Sequence, residues 1–263
     1  ILVVLISTKK KFFSVIRCAG SKIPTVLQLF DSTVIGGKYL RSVLALDSFH
    51  ALNPNCNDAE LNRMAECASL LEMIQSFFLI VDDVMDESET RRGKMCWHKN
   101  VSIGAGERDS FRSIILFPKM CIWMSLKSST FLVRLTQMFY KRTSNRTTHL
   151  GQLLDTISVR EIDAFTWDRY QLVEMKTSHY TFFQPVEMAM LVSDRMDHHR
   201  VLRHLLYKIG FLFQSQDDHL DVFGNPQLTG KTGTDIQDGK CTWISVRAVQ
   251  KLRDKPELDE FKV

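Results

Sequence analysis

The sequence predicts an all-α protein, and three observations support that reading. Glycine and proline are sparse, at 12 and 6 in 263 residues, and no low-complexity linker divides the chain. Long stretches repeat apolar residues at three- and four-residue spacing, while alternating strand patterns are scarce. Two acidic clusters of one pattern, Asp82-Asp83-Val84-Met85-Asp86 and Asp217-Asp218-His219-Leu220-Asp221, each close an apolar, aromatic run. The length suits one large domain over residues 1–263. The first residue is Ile1, not methionine, so the native N-terminus is expected to lie outside this sequence.

The start, Ile1-Leu2-Val3-Val4-Leu5-Ile6, is apolar but short, and Lys9-Lys10-Lys11 follows it. That reverses the charge-then-apolar order of a signal peptide. No uncharged apolar run approaches the roughly 18 residues of a membrane span. Residues 21–53 read as one helix interrupted at Ile35-Gly36-Gly37. Asn53-Pro54-Asn55 is a turn, and Asp58 is placed to cap the next helix. That helix runs to about Glu87 and is apolar on most faces, as expected of a buried central helix.

Ser88 to Asn100 reads as a loop carrying Arg91-Arg92-Gly93-Lys94. Residues 101–145 are the least regular: Gly104-Ala105-Gly106-Glu107 is a poor helix interior, and Phe117-Pro118 breaks the stretch after it. Helical spacing resumes near Leu150-Gly151-Gln152-Leu153-Leu154-Asp155, with further helices over about 167–192 and 197–222. The turn Phe223-Gly224-Asn225-Pro226 leads into a polar loop, 229–240. The last helix starts at Trp243 and ends in a charged tail.

Net charge is +4, from 34 Lys and Arg against 30 Asp and Glu, which does not point to a nucleic-acid partner. The six cysteines are scattered with no C-x-x-C, so neither a zinc site nor a disulfide framework is indicated. A reduced, intracellular protein is expected, cytoplasmic before mitochondrial or peroxisomal.

The aspartates carry the chemistry. Positions i and i+4 share a helix face, so Asp82 pairs with Asp86 and Asp217 with Asp221. Like charges one turn apart repel unless something neutralises them. All-oxygen ligands suit Mg²⁺, which keeps waters and is shared with substrate phosphates. One such cluster alone is more often a solvated helix end. Here each is followed by a cationic, glycine-containing segment, Glu89-Thr90-Arg91-Arg92-Gly93 and Thr229-Gly230-Lys231-Thr232-Gly233-Thr234-Asp235. Carboxylates for a metal beside Arg and Lys are what binding a diphosphate requires.

The ordered set resembles the trans-isoprenyl diphosphate synthase family from about Ile35 to Gln250. The matching segments are Gly36-Gly37-Lys38-x-x-Arg41, Gln75-x-Phe77-Phe78-Leu79-x-x-Asp82-Asp83-x-Met85-Asp86-x-Ser88-x-Thr90-Arg91-Arg92-Gly93, Cys96-Trp97, Gly151-Gln152-x-x-Asp155 and Lys176-Thr177-x-x-Tyr180. Phe213-Gln214-x-Gln216-Asp217-Asp218-x-Leu220-Asp221 and Thr229-Gly230-Lys231-x-Gly233-Thr234-Asp235-Ile236-Gln237-Asp238-x-Lys240-Cys241-x-Trp243 complete it.

The resemblance implies an isoprenoid-synthase-type helical bundle around a deep central cavity, and a homodimer. It implies a prenyltransferase condensing isopentenyl diphosphate with dimethylallyl or geranyl diphosphate to give farnesyl or geranyl diphosphate. Three Mg²⁺ ions, replaceable by Mn²⁺, are implied. Asp82, Asp86 and Asp217 would coordinate them, supported by Asp83, Asp218 and Asp221 through the outer shell or waters. Arg91, Lys176, Lys231 and Lys240 would contact the allylic diphosphate. Lys38, Arg41, Gln75 and Arg92 would hold isopentenyl diphosphate without metal. Lys176, Thr177 and Gln214 would line the place where the allylic carbocation forms. Phe77 and Phe78 lie roughly 6–8 Å below Asp82 at helical rise and would limit product length.

The chain departs from the family pattern at Tyr39-Leu40-Arg41-Ser42, His219, Met175 and His149. It also stops soon after the second-cluster helix, where the resemblance implies further helices, so a native C-terminal portion is expected to lie outside this sequence. Leu40 and Ser42 flank the isopentenyl diphosphate residues. They favour an alternative, a terpene synthase that cyclises or quenches geranyl or farnesyl diphosphate without isopentenyl diphosphate. A second alternative is a non-catalytic regulatory paralogue, against which the complete aspartate set argues.

Overall fold

The computed structural model describes residues 2–7, 23–100, 148, 150–151, 153–155, 162–229 and 233–258. The irregular 101–145 segment, His149, Gln152 and Lys231 lie outside the described residues. Among those described, the helices are α1 (Ile23–Thr33), α2 (Leu40–Leu52), α3 (Asp58–Met85), α4 (Trp97–Asn100), α5 (Trp167–Ser178), α6 (Gln184–Val192), α7 (His199–Phe223), α8 (Pro226–Thr229) and α9 (Trp243–Leu252). A two-stranded hairpin, β1 (Thr90–Arg91) and β2 (Lys94–Met95), stands between α3 and α4. The class is all-α, as the spacing predicts. The chain divides into two compact units, one of Ile1–Met138 with Pro185–Asp197, the other of Phe139–Gln184 with His198–Val263.

In the first unit, the expected break between α1 and α2 comes from backbone geometry. Gly36 has φ 95° and Tyr39 has φ 53°, and the Gly36 N–H donates to the Tyr39 hydroxyl at 2.9 Å. The cap of α3 is Asn57, not Asp58. Asn57 is extended, its side chain accepts from the Glu60 N–H at 3.0 Å, and the Glu60 carboxylate accepts from the Asn57 N–H at 3.0 Å. A cap must stand outside helical dihedrals, whereas Asp58 is already in the first turn. The length and composition of α3 would allow it to cross a membrane, but 61% of its apolar window is buried inside the protein. It is a core helix, with Met64 through Met73 largely buried.

Ser42, one of the departures, is fully buried against α3. Its N–H donates to Glu72 Oε1 at 2.9 Å, and its hydroxyl lies 2.9 Å from both that oxygen and the Ala68 carbonyl. The 88–100 stretch is not the predicted loop. Arg92 (φ 54°) and Gly93 (φ 71°) form a two-residue turn with both φ positive, the geometry that matches hairpin twist. Trp97 then packs on Leu29 and Ile80.

The second unit is built on α5, α7 and α9. Thr166 caps α5, and Thr242 caps α9, its side chain accepting from the Ser245 N–H while its own N–H donates to the Ser245 hydroxyl. Phe165, Tyr170, Cys241, Val246 and Val249 form its core, with Trp167, Phe211 and Trp243 packed on them. Gly210 brings α7 close to α5, since a Cβ there would stand 2.2 Å from the Ser178 hydroxyl. The predicted helix over 167–192 is interrupted by a π turn at His179–Phe183. After Gly224, Pro226 opens the short α8 where a plain turn was expected.

Candidate functional site

The first cluster closes α3. Gln75, Phe78, Asp82 and Asp86 recur at helical spacing and share a face. Ser76, Ile80 and Asp83 lie on the buried side, where the Ser76 hydroxyl donates to Thr33 Oγ1 at 2.5 Å. Arg91 bridges the two leading aspartates: its Nη2 donates to Asp82 Oδ2 at 3.0 Å and its Nε to Asp83 Oδ1 at 2.5 Å. Burial pulls the Arg91 guanidinium down, but Asp83 and Asp82 beside it more than offset that. Burial pushes the Asp83 carboxyl up against the pull of Arg91.

Arg92 turns the other way. A Cβ on Gly37 would stand 2.8 Å from its Nη2, and its Nη1 donates to the Thr33 carbonyl at 3.3 Å. Burial, then the neighbouring Arg91, lowers the Arg92 pKa, and Arg41 adds to the repulsion. Lys38 is exposed and Arg41 half-buried at the same turn. Phe77 and Phe78 are half-buried, with ring centroids 5.6 Å apart. Gln75 Oε1 is buried without a hydrogen-bond partner, so it is not the satisfied core amide that an apolar helix would hold. A cavity of about 380 Å³ in this unit is lined by the α1 end, Ile80, Asp83, Arg91, Arg92 and Trp97.

In the second unit, Lys176 pairs with the buried Asp155. Gly151 permits this approach, since a Cβ on it would lie 2.6 Å from the Lys176 backbone nitrogen. One residue on, the Thr177 hydroxyl donates to Gln214 Oε1 at 2.5 Å. Gln214 Nε2 donates to Asp218 Oδ1 at 2.8 Å, and the Trp243 N–H donates to Asp218 Oδ2 at 2.7 Å. Burial raises the Asp218 pKa, opposed by hydrogen bonds from Trp243, Gln214 and Tyr170.

Asp217 is exposed and Asp221 half-buried. Asp221 Oδ2 accepts from the Asp235 N–H at 3.0 Å, and Asp235 Oδ1 lies 3.3 Å from Lys240 Nζ. Gly233 is required there: a Cβ would sit 1.8 Å from the Asp221 carbonyl oxygen. The loop thus folds back onto the cluster.

Asp83 and Asp218, grouped with the metal residues by sequence, therefore commit their carboxylates to protein donors, because the second position of each cluster turns into the packed side of its helix. Among the described residues no three His, Cys, Asp or Glu side chains converge into a ready metal centre. Carboxylates one turn apart at accessible helix ends still fit Mg²⁺, which fills its remaining positions with water and phosphate oxygens. The described cysteines are free, and burial pushes the Cys67, Cys96 and Cys241 thiols up to about 12, so they are poor nucleophiles.

Sequence reasoning missed the Tyr170 contact, the Glu72 partner of Ser42, and the buried Glu174, whose pKa burial raises to about 7. None lies in a recognisable motif. Asp155 was visible in the Gly151-Gln152-x-x-Asp155 segment, but without its role.

A family model described as polyprenyl synthetase matches residues 23–261. The chain is 35% identical over 251 residues to the farnesyl pyrophosphate synthase of Rattus norvegicus, covering 90% of this chain and 69% of that protein. The Homo sapiens protein of the same name is 35% identical over 245 residues, covering 88% of this chain and 57% of its own length. The chain thus spans between 57% and 69% of these two relatives. The solved structure of T. brucei farnesyl diphosphate synthase complexed with risedronate superposes with a TM-score of 0.89 at 27% identity, covering 99% of this chain and 79% of that one.

Proposed function

The chain belongs to the polyprenyl synthetase family of prenyltransferases and has the all-α isoprenoid synthase fold, and on that premise we propose that it condenses isopentenyl diphosphate with an allylic diphosphate. The allylic substrate is dimethylallyl or geranyl diphosphate, and the product is geranyl or farnesyl diphosphate.

One observation carries this reading. The hairpin turn sends Arg91 onto the aspartate cluster and Arg92 onto the Gly37 turn beside Lys38 and Arg41. Adjacent arginines facing two different places suit two diphosphates, whereas cyclisation of one substrate needs only one. The names of the relatives support the same choice. Ser42 weighs less against it than its position suggested, since its polar groups are taken up by Glu72 and Ala68.

The family carries a divalent-metal requirement. We assign Mg²⁺, as three ions with Mn²⁺ able to replace them, held by Asp82, Asp86 and Asp217, with Asp221 in support through the outer shell or waters. When bound, Mg²⁺ supplies charge neutralisation on the departing diphosphate. Arg91, Lys176 and Lys240, with Lys231, contact that diphosphate and hold its charge in place as the carbon–oxygen bond breaks. Lys38, Arg41, Gln75 and Arg92 orient isopentenyl diphosphate so that its double bond attacks the allylic carbon, and the proton then lost from the adduct passes to the released diphosphate. Lys176, Thr177 and Gln214 line the cationic centre. Phe77 and Phe78 exclude water, which would otherwise quench the cation, and close off the growing tail.

The test is to incubate the protein with Mg²⁺ and dimethylallyl, geranyl or farnesyl diphosphate, with and without isopentenyl diphosphate. Isopentenyl diphosphate should be consumed and a prenyl diphosphate one unit longer formed. A hydrocarbon or alcohol made without it would establish the terpene synthase instead, and no turnover of any substrate would refute the condensation reading.

A further inference from the structure

Asp218 is 3% exposed and Gln214 7% exposed. Their contacts form a directed chain. The Trp243 N–H is the first donor of α9 and has no partner within its own helix. It donates to Asp218 Oδ2 at 2.7 Å, Gln214 Nε2 donates to Asp218 Oδ1 at 2.8 Å, and the Thr177 hydroxyl donates to Gln214 Oε1 at 2.5 Å. A carboxylate only accepts, so the NH₂ of Gln214 must face Asp218. Its oxygen then faces Thr177, and the Thr177 hydroxyl must give its hydrogen to Gln214. Towards any other group Thr177 can then offer only lone pairs.

We propose that Asp218 is a positioning residue that sets the polarity of this chain, so that Thr177 presents the negative end of its hydroxyl dipole to a developing allylic cation. The proposal rests on the prenyl-transfer reading in placing Thr177 beside the cation. It separates Asp218 from Asp217 and Asp221: Asp218 acts through Gln214 and Thr177, not through a metal. Helix packing supports the arrangement. Gly210 permits the close α5–α7 approach one residue from Thr177 and one turn from Gln214, and the N-terminus of α9 pins Asp218 from the other side.

Asp218→Asn tests the polarity with almost no change of shape. Its amide oxygen can still take the Trp243 N–H, but its NH₂ then faces Gln214, which must turn over and make Thr177 an acceptor. The Thr177 hydrogen would then point towards the cation. Asp218→Asn should lower kcat for allylic ionisation by about a hundredfold, within the range for a charge-stabilising group. KM, melting temperature and Mn²⁺ binding should stay unchanged. The double variant Gln214→Glu with Asp218→Asn restores an acceptor opposite Thr177 and should recover at least about tenfold of the loss.

A binding measurement needs no turnover. Wild type with inorganic diphosphate and Mg²⁺ should bind a prenyl ammonium compound about tenfold tighter than its uncharged isostere. Asp218→Asn should erase that preference and the double variant restore it. Loss of Mn²⁺ binding in Asp218→Asn, absence of rescue, or no ammonium preference in wild type overturns the proposal. A wild type that ionises allylic diphosphate but ignores isopentenyl diphosphate refutes condensation while leaving this test in force.

Discussion

Arg91 and Arg92 meet different neighbours because they differ in backbone. Arg91 is extended in β1 and faces α3, whereas Arg92 sits at φ 54° in the turn and faces Gly37. Asp82, proposed above as a metal ligand, keeps its carboxylate partly exposed and held by Arg91. Asp82→Ala should lower turnover by about 10²–10³, as loss of a charge-stabilising group does elsewhere. Steady-state kinetics beside a circular dichroism spectrum checks this; near-normal turnover with intact folding would refute the metal assignment. Phe78 lies one helical turn before Asp82 and is half-buried, its ring centroid 5.6 Å from that of Phe77. Phe78→Ala should shift the product to longer chains, read by chromatography of the dephosphorylated alcohols. An unchanged distribution would make Phe78 a packing residue.

At the scale of elements, the α5–α7 crossing carries a titrating group. Glu174 on α5 accepts from the Ser178 hydroxyl beside Gly210, and burial raises its pKa from 4.5 to about 7. The folded state therefore prefers the neutral acid. That contribution is fully present below 4.5 and is lost as pH rises through about 7. His179, lowered to about 4 by burial and then Arg203, has the opposite sign, contributing above 6.5 and failing as pH falls through about 4.

The wild-type curve mixes the two, so the informative quantity is the melting difference between Glu174→Gln and wild type. It should be small in acid and grow between 4.5 and about 7, with the variant the more stable by about 2–4 °C per kcal/mol. A difference that does not change with pH would show that Glu174 is charged in the folded state.

For the whole molecule, the choice between condensation and cyclisation turns on a second anion site. Arg92→Ala should raise KM for isopentenyl diphosphate more than for the allylic substrate, measured by varying each at saturation of the other. Equal effects on both would remove the argument for two diphosphates. Part of this was legible in the sequence. Helix class follows from periodicity, and the candidate ligands from residue types at fixed spacing, both of which are local properties. That Asp82 and Asp86 share a face needs only 3.6 residues per turn. The inward commitment of Asp83 and Asp218 was not legible, because which side of α3 or α7 is covered depends on Arg91, Tyr170 and Trp243, residues brought there by chain reversals. The Asn57 cap and the Arg92 turn depend on backbone dihedrals that several residue types could adopt. Residue types and their spacing mark the groups able to do chemistry; which of their oxygens meet protein donors depends on the folded chain, because hydrogen bonds are satisfied by neighbours in space rather than in order.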